Sequence, residues 1–227
     1  MSRKTGRLTA LVVTVASLAA LSVAAAPAGA FVFNKNFVNW TVSGSITPKK
    51  LGQKVTLPAG ATFNGEGSAN VEGLQNITGS VSNAVIFVPP FTSDVSILGL
   101  STPVGLSFSQ VGSASGTLKS VATSNCGGNE GCVNVSVPAT ANIGITSVGL
   151  LGIKIPTNCT TSKAVAFNLS DDLTVFELFE TGTTFTGTTT IPSVKCGGLG
   201  GIFIAPVLTS LFSGPDNAYS LSFSPPA

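Results

Sequence analysis

The sequence predicts an all-β fold, a β-sandwich of about ten short antiparallel strands, with at most a short helix near residues 199–212. Three observations lead to this prediction. Apolar and polar residues alternate with period two from residue 37 onward. Proline and glycine interrupt this alternation at short intervals. No long window carries an apolar stripe of period 3.6, and many short strands separated by turn residues are typical of a sandwich.

The alternating runs place the strands in chain order. In the first run, Val38, Trp40, Val42 and Ile46 share one predicted face. The later runs cover residues 61–72, 104–109, 133–137, 165–169, 184–188 and 219–224. The predicted breakers between runs are Pro48, Pro58, Pro89, Pro90, Pro138, Pro156, Pro192, Gly214 and Pro215. Outward positions are rich in Ser and Thr, so the surface suits neutral polymers or apolar partners better than charge-steered recognition.

Residues 1–30 have the pattern of a cleaved secretory signal peptide. A basic head, Ser2 to Arg7, precedes an uncharged run from Leu8 to Ala26, and residues 27–30 supply a helix break and a small-residue cleavage signature. The alternative is a permanently inserted helix. We favour cleavage because of the Ala-x-Ala ending and because no charge directly flanks it. The sequence therefore predicts a secreted or cell-envelope protein whose single domain spans residues 31–227.

After cleavage we expect no transmembrane segment. The apolar stretch from Leu199 to Phe212 is too short to cross a bilayer, and we interpret it as a short buried helix or a turn-rich segment. Both arginines of the chain lie in the leader, so residues 31–227 hold eight lysines against nine carboxylates, a net charge of −1. Nucleic-acid binding needs a basic footprint, and we therefore expect no nucleic-acid partner.

Four cysteines, an even number, follow the leader. In an exported protein this predicts two disulfides. We favour Cys126–Cys132, because the Gly-rich loop between them is flexible enough to bring the sulfurs together. That leaves Cys159–Cys196, which closes a loop worth about 3–4 kcal/mol in the chain-entropy model. A zinc site is disfavoured because the spacing is not Cys-x-x-Cys and the chain has no histidine.

The missing residue types argue against enzymatic activity. Without histidine there is no Ser-His-Asp or Cys-His arrangement, and no Ser-x-x-Lys, Gly-x-Ser-x-Gly or phosphate-binding loop occurs. Carboxylates remain, and their densest group is Asp171, Asp172, Glu177 and Glu180. We interpret the aspartates as a turn after a strand ending at Leu169, and the glutamates as a solvated edge or short helical turn. The alternatives are a loose calcium site and a glycosidase pair. We expect no cofactor and no metal.

Two apolar segments are candidate docking sites. The chain has 14 phenylalanines, most of which belong in a core by default. Exposed apolar groups at Phe87, Pro89, Pro90 and Phe91, or at Ile202 and Phe203, would mark a partner or lipid site.

A short motif recurs along the chain. Residues 60–65, Gly-Ala-Thr-Phe-Asn-Gly, return as Gly-Thr-Thr-Phe-Thr-Gly at residues 182–187. One interpretation is a duplication that relates two halves, residues 31–122 and 123–227. The other is coincidence in a Gly/Thr-rich chain, since repeats are identified by a sustained period.

Several other short motifs carry a family resemblance. Residues 191–198 and 213–221, together with Ile155 to Cys159 and Phe185 to Gly187, resemble a group of exported actinobacterial proteins of unknown function. The resemblance implies a secreted or envelope location and a paired cysteine framework, and it brings no catalytic residues. We therefore expect a non-enzymatic structural or adhesive protein that binds a neutral or apolar envelope component or a protein. The alternatives are a carrier that holds an apolar ligand between its sheets and a carboxylate-based glycan hydrolase.

Overall fold

A computed structural model describes residues 30–73, 75–97, 99–129, 131–150, 153–198 and 201–226. The predicted leader lies outside the described residues except for Ala30, so its cleavage remains a prediction. None of the helices in the described ranges has the length and hydropathy needed to cross a bilayer.

The predicted all-β class is confirmed: the described residues form antiparallel strands and one α-helix, α1 (Gly201–Phe212). There are thirteen described strands rather than about ten. They are β1 (Phe31–Thr47), β2 (Val55–Thr56), β3 (Thr62–Val71), β4 (Ile77–Phe87), β5 (Phe91–Ile97), β6 (Leu100–Gln110), β7 (Ala114–Ser120), β8 (Cys132–Leu150), β9 (Ile153–Thr161), β10 (Val165–Thr174), β11 (Thr183–Ile191), β12 (Val194–Cys196) and β13 (Gly214–Ser224).

Two strands are long, contrary to the prediction of short strands, and each changes neighbours along its length. β1 pairs with β3 over Phe31–Thr41 and with β13 over Thr41–Thr47. β8 pairs with β7 and β10 in its first half and with β6 and β9 in its second half. The sheet follows the order β11-β13-β1-β3-β4-β7-β8-β6-β5. Strands from residues 31–122 and 123–227 therefore share one sheet, and whether they arose by duplication stays a hypothesis.

Pro138 was predicted to end a strand, but it lies inside β8. The change of neighbours along β8 explains why the strand continues through it. Pairing with β7 stops at Ser136 and pairing with β6 begins at Ala141. Pro138 therefore lies where β8 has only β10 beside it, opposite Asn168. A proline, which lacks an N–H, is tolerated where one side of the strand needs no ladder bond. Pro156 and Pro215 likewise lie inside strands, β9 and β13.

A β-bulge corrects the predicted face of Val38. The register of β1 against β3 shifts between Phe37 and Trp40, and Asn39 has φ 52°. Asn39 is held there by its N–H, which donates to the Asn64 side-chain oxygen at 2.9 Å. The extra residue reverses the alternation, so Phe37 and Trp40 are buried while Val38 is exposed. A bulge in β4, where Asn83 has φ 51°, likewise shifts the register of the ladders to β3 and β7.

Two apolar cores lie against the sheet. The larger, here the main core, contains Trp40, Phe37, Phe179 and Phe223 and is formed by β1, β3, β4, β7, β10, β11, β13 and the first half of β8. The smaller, here the α1 core, contains Val55, Val104, Ile145, Leu208 and Phe212 and joins β2, β5, β6, β9, β12 and the second half of β8 to α1.

The expected disulfide pairing is confirmed. Cys126 bonds Cys132, and Cys159 bonds Cys196, with no free cysteine among the described residues. The second bridge joins β9 to β12, where the two cysteines are direct cross-strand neighbours.

Candidate functional site

The helix α1 presents an apolar face to solvent. Its residues at positions 202, 203, 206, 207 and 210 are exposed, a spacing that places them on one side of a helix. Four of the five are apolar: Ile202, Phe203, Pro206 and Val207, here called the α1 face. Ile202 is 69% exposed, Phe203 79% and Val207 54%. The prediction of a short helix is confirmed, but the helix is not buried all round.

The opposite side of α1 anchors it to the sheet. Leu208 and Phe212 are buried in the α1 core, and Ile204 packs against the same core. A helix that is apolar on all sides is normally enclosed by protein or lipid. In α1 only one side is enclosed, so the outer side is available to a partner.

Polar contacts fix the position of α1 along β12. The Thr209 hydroxyl accepts a hydrogen bond from the Val194 N–H at 2.9 Å, and the Ser213 hydroxyl donates to the Pro192 carbonyl at 2.7 Å. The Cys159–Cys196 bridge lies immediately before the helix. The α1 face is therefore held on a fixed scaffold rather than on a free tail.

A buried amide holds the chain where it leaves α1. Asn217 donates to the carbonyls of Thr189 and Gly214 at 3.0 and 2.6 Å, and its side-chain oxygen accepts from the Lys49 N–H at 3.0 Å. One side chain thus connects β11, the start of β13 and the turn after β1. Burial without these partners would be unfavourable for the amide.

The second predicted docking segment is only partly available. Phe87, at the end of β4, is 57% exposed, and Pro90 is also exposed. Pro89 is half-buried. Phe91 is half-buried too, because its ring stacks on Phe108 at a centroid distance of 6.2 Å and packs against both cores. Of the four residues predicted at this segment, two are therefore exposed, whereas four apolar residues of α1 are exposed on one side of the helix.

The predicted turn at Asp171 and Asp172 is wrong, because both residues lie inside β10. They pair with Val135 and Asn134 of β8. The Asp172 carboxylate accepts hydrogen bonds from the side-chain amides of Asn125 and Asn134, both at 2.7 Å. Ladder bonds to β8 continue through Thr174 and extend the strand beyond Leu169. Asp172 therefore ties the loop of the Cys126–Cys132 bridge to the sheet.

The predicted helical turn at Glu177 and Glu180 is present, and it begins with a capping box. The Thr174 hydroxyl accepts from the Glu177 N–H at 3.1 Å, while the Glu177 carboxylate accepts from the Thr174 N–H at 2.7 Å. Glu180 forms an ion pair with Lys35 at 3.2 Å. Among the described residues no group of three or more acidic, Cys or His side chains could hold a metal ion.

Three apolar cavities in the described part of the fold are small. One, between β1, β8 and β10, measures about 50 Å³ and is lined by residues such as Val42, Phe108 and Phe167. Two others measure about 30 and 40 Å³. An engineered apolar cavity that accepts benzene is about 150 Å³. None of these three apolar cavities has the volume for a lipid chain that the carrier alternative would require.

Comparison with protein-family models, curated proteins and solved structures finds no match for this chain.

Sequence reasoning singled out Ile202 and Phe203 but missed the remainder of the α1 face. Pro206 and Val207 belong to this face because they follow Ile202 and Phe203 by four residues, about one helical turn. Nearly every residue of the segment is apolar, so the sequence alone does not show which side of the helix is exposed. Thr209 and Asn217, the anchors behind the helix, could not be distinguished from other polar residues without the contacts that they make.

Proposed function

We propose that this protein is a non-enzymatic, secreted or envelope-associated binding protein that docks on an apolar component of the envelope through the α1 face. The exposure of Ile202, Phe203 and Val207 on one anchored helix carries this proposal. The leader and the two disulfides support an extracytoplasmic location. The carboxylates of Asp172, Glu177 and Glu180 each make hydrogen bonds or an ion pair that hold the fold together. We therefore do not propose the glycan hydrolase.

The size of the α1 face sets the expected strength of binding. Burying a whole Ile, Phe or Val side chain contributes about 1.5–3 kcal/mol. Scaled by the exposed fractions of 69%, 79% and 54%, the three side chains together contribute about 3–6 kcal/mol before the costs of association. Because the costs of association offset much of this gain, we expect only weak, reversible docking that needs a high lipid concentration.

The test measures binding of purified residues 31–227 to phosphatidylcholine vesicles by flotation at high lipid concentration. Phe203→Ser removes the most exposed ring and is expected to weaken binding by about 2 kcal/mol, or roughly thirtyfold. The matched control is Phe176→Ser, which removes a ring that is 64% exposed on the turn between β10 and β11. This control is expected to bind as the wild type does.

Thermal unfolding followed by the fluorescence of Trp40, the single tryptophan, checks that both variants are folded. The proposal is wrong if the wild type does not float with the vesicles, or if Phe176→Ser loses as much binding as Phe203→Ser. Lipid that co-purifies with both the wild type and Phe203→Ser would support the carrier alternative instead.

A further inference from the structure

We propose that the surface on which the α1 face docks is a lipid surface with anionic headgroups. This inference rests on the proposed function and names the chemistry of its partner. It comes from the distribution of charge, because lysines and carboxylates are concentrated at different parts of the molecule.

Lysines predominate around the α1 core. The described charged residues on its strands, in the adjoining turns and at the start of β13 are Lys49, Lys50, Lys54, Lys154, Lys163 and Lys195, against Asp94 and Asp216. Six cations and two anions give this part a net charge of +4. The helix α1 has no charged residue of its own. One of the two anions, Asp216, is already paired with Lys49 at 2.8 Å.

Carboxylates predominate around the main core. The described charged residues there are Glu66, Glu72, Asp171, Asp172, Glu177 and Glu180, against Lys35 and Lys119. Two cations and six anions give a net charge of −4. The two parts of the described fold therefore differ in charge, although the total charge is close to zero. A negatively charged surface would attract the part that carries α1 more than the part around the main core.

One of the lysines, Lys50, lies beside the C-terminal end of α1. Leu51 and Val55, from the same turn and the strand after it, belong to the α1 core together with Leu208 and Phe212. Gln53 holds this turn to β5 by exchanging two hydrogen bonds with the Ser96 backbone, at 2.7 and 3.0 Å. A Cβ on Gly214, two residues after α1, would lie only 3.4 Å from Cε of Lys50.

An anionic bilayer surface matches both properties of this region. Its acyl zone accepts exposed apolar side chains, and its headgroups attract lysines whose stems reach outward from the protein. A second copy of the chain is a poorer match, because two α1 faces brought together would bring two positively charged regions together. A neutral polymer would leave the lysines without a partner.

The test compares flotation with vesicles of phosphatidylcholine alone and with vesicles of three parts phosphatidylcholine to one part phosphatidylglycerol. Tighter binding to the mixed vesicles is expected at an ionic strength of about 0.01 M, and the difference should vanish at about 1 M, where the Debye length is about 3 Å. Lys50→Gln and Lys54→Gln should each weaken binding to mixed vesicles about fivefold. The matched control, Lys119→Gln, removes an exposed lysine of β7 and should bind as the wild type does.

The outcomes separate this inference from the function on which it rests. Equal binding to both vesicle types, still dependent on Phe203, overturns the anionic preference and leaves the proposed function standing. Absence of binding to either vesicle overturns both. Mixed-vesicle binding that survives Phe203→Ser would be adsorption by charge alone and would also overturn both. A dimer in solution that Phe203→Ser dissociates would identify the α1 face as a contact between copies and overturn the lipid assignment.

Discussion

Substitution of Gly67 by alanine tests the packing of the main core most directly. Gly67 lies in β3 with its backbone in an ordinary strand conformation. A Cβ at this position would lie 2.6 Å from a ring carbon of Phe179 and 2.8 Å from one of Phe37. Both rings are buried, and they stack on each other at a centroid distance of 5.8 Å. The glycine is therefore required by side-chain packing rather than by backbone conformation.

The magnitude follows from these distances. To restore ordinary contact at 3.4 Å, Phe179 would have to move by about 0.8 Å and Phe37 by about 0.6 Å. Overpacking of this kind costs about 1–3 kcal/mol, while the loss of glycine flexibility in the unfolded chain returns about 0.4–1 kcal/mol. We expect Gly67→Ala to lower the free energy of unfolding by about 1–2 kcal/mol and the Tm by about 2–8 °C.

Thermal and urea unfolding followed by Trp40 fluorescence would measure the change. Gly197→Ala is the matched control, because its Cβ would meet nothing closer than 3.5 Å, and it should change stability by less than about 0.5 kcal/mol. Combining Gly67→Ala with Phe179→Leu should cost less than the sum of the single changes, since the smaller side chain makes room. A Gly67→Ala protein as stable as the wild type would refute the proposed ring packing.

Two further predictions concern the cross-links and the single tyrosine. Replacing Cys159 and Cys196 by serine should lower the free energy of unfolding by about 4 kcal/mol, because this bridge spans 37 residues. Replacing Cys126 and Cys132, which span only 6 residues, should lower it by about 2 kcal/mol. Equal losses of stability in urea denaturation would contradict this prediction. Burial raises the pKa of Tyr219 above 10.0, so an absorbance titration of the folded protein should give a midpoint above that of the denatured chain. Because the fold favours the neutral phenol over the phenolate, the folded state is stabilised relative to the unfolded chain while Tyr219 is protonated. This stabilisation is intact below pH 10 and is lost as the pH rises through the folded pKa of Tyr219. Tyr219→Phe should abolish that part of the alkaline loss of stability.

Local patterns in the sequence were sufficient for much of the fold. The alternation around Val133 and Val135, and around Phe167 and Leu169, predicted strand faces that the structure buries. Each of these stretches lies in a regular ladder, where side chains alternate strictly. The pairing of Cys126 with Cys132 could be predicted for a similar reason, because the two cysteines are only 6 positions apart in the sequence.

Prediction was wrong where a distant strand changed the local pattern. Val38 is exposed because a bulge in β1, held by Asn64 of β3, inserts one residue. Asp171 and Asp172 look like a turn in isolation, but hydrogen bonds to β8 extend β10 through them. A proline such as Pro138 breaks a strand only where a neighbouring strand needs a hydrogen bond from that position, and the sequence does not show which neighbours β8 has there.

Composition and near neighbours along the chain were sufficient to predict the strand-rich class, at most a short helix near residues 199–212 and the two disulfides. The side of α1 that stays uncovered, and the set of lysines that belongs to the region of α1, depend on how distant segments pack together. Lys54 and Lys195 are far apart in the sequence. They belong to the same region of the fold because Val55, which follows Lys54, and Val194, which precedes Lys195, are both part of the α1 core. Exposure and electric field are properties of the assembled chain, so no window of the sequence could have given them.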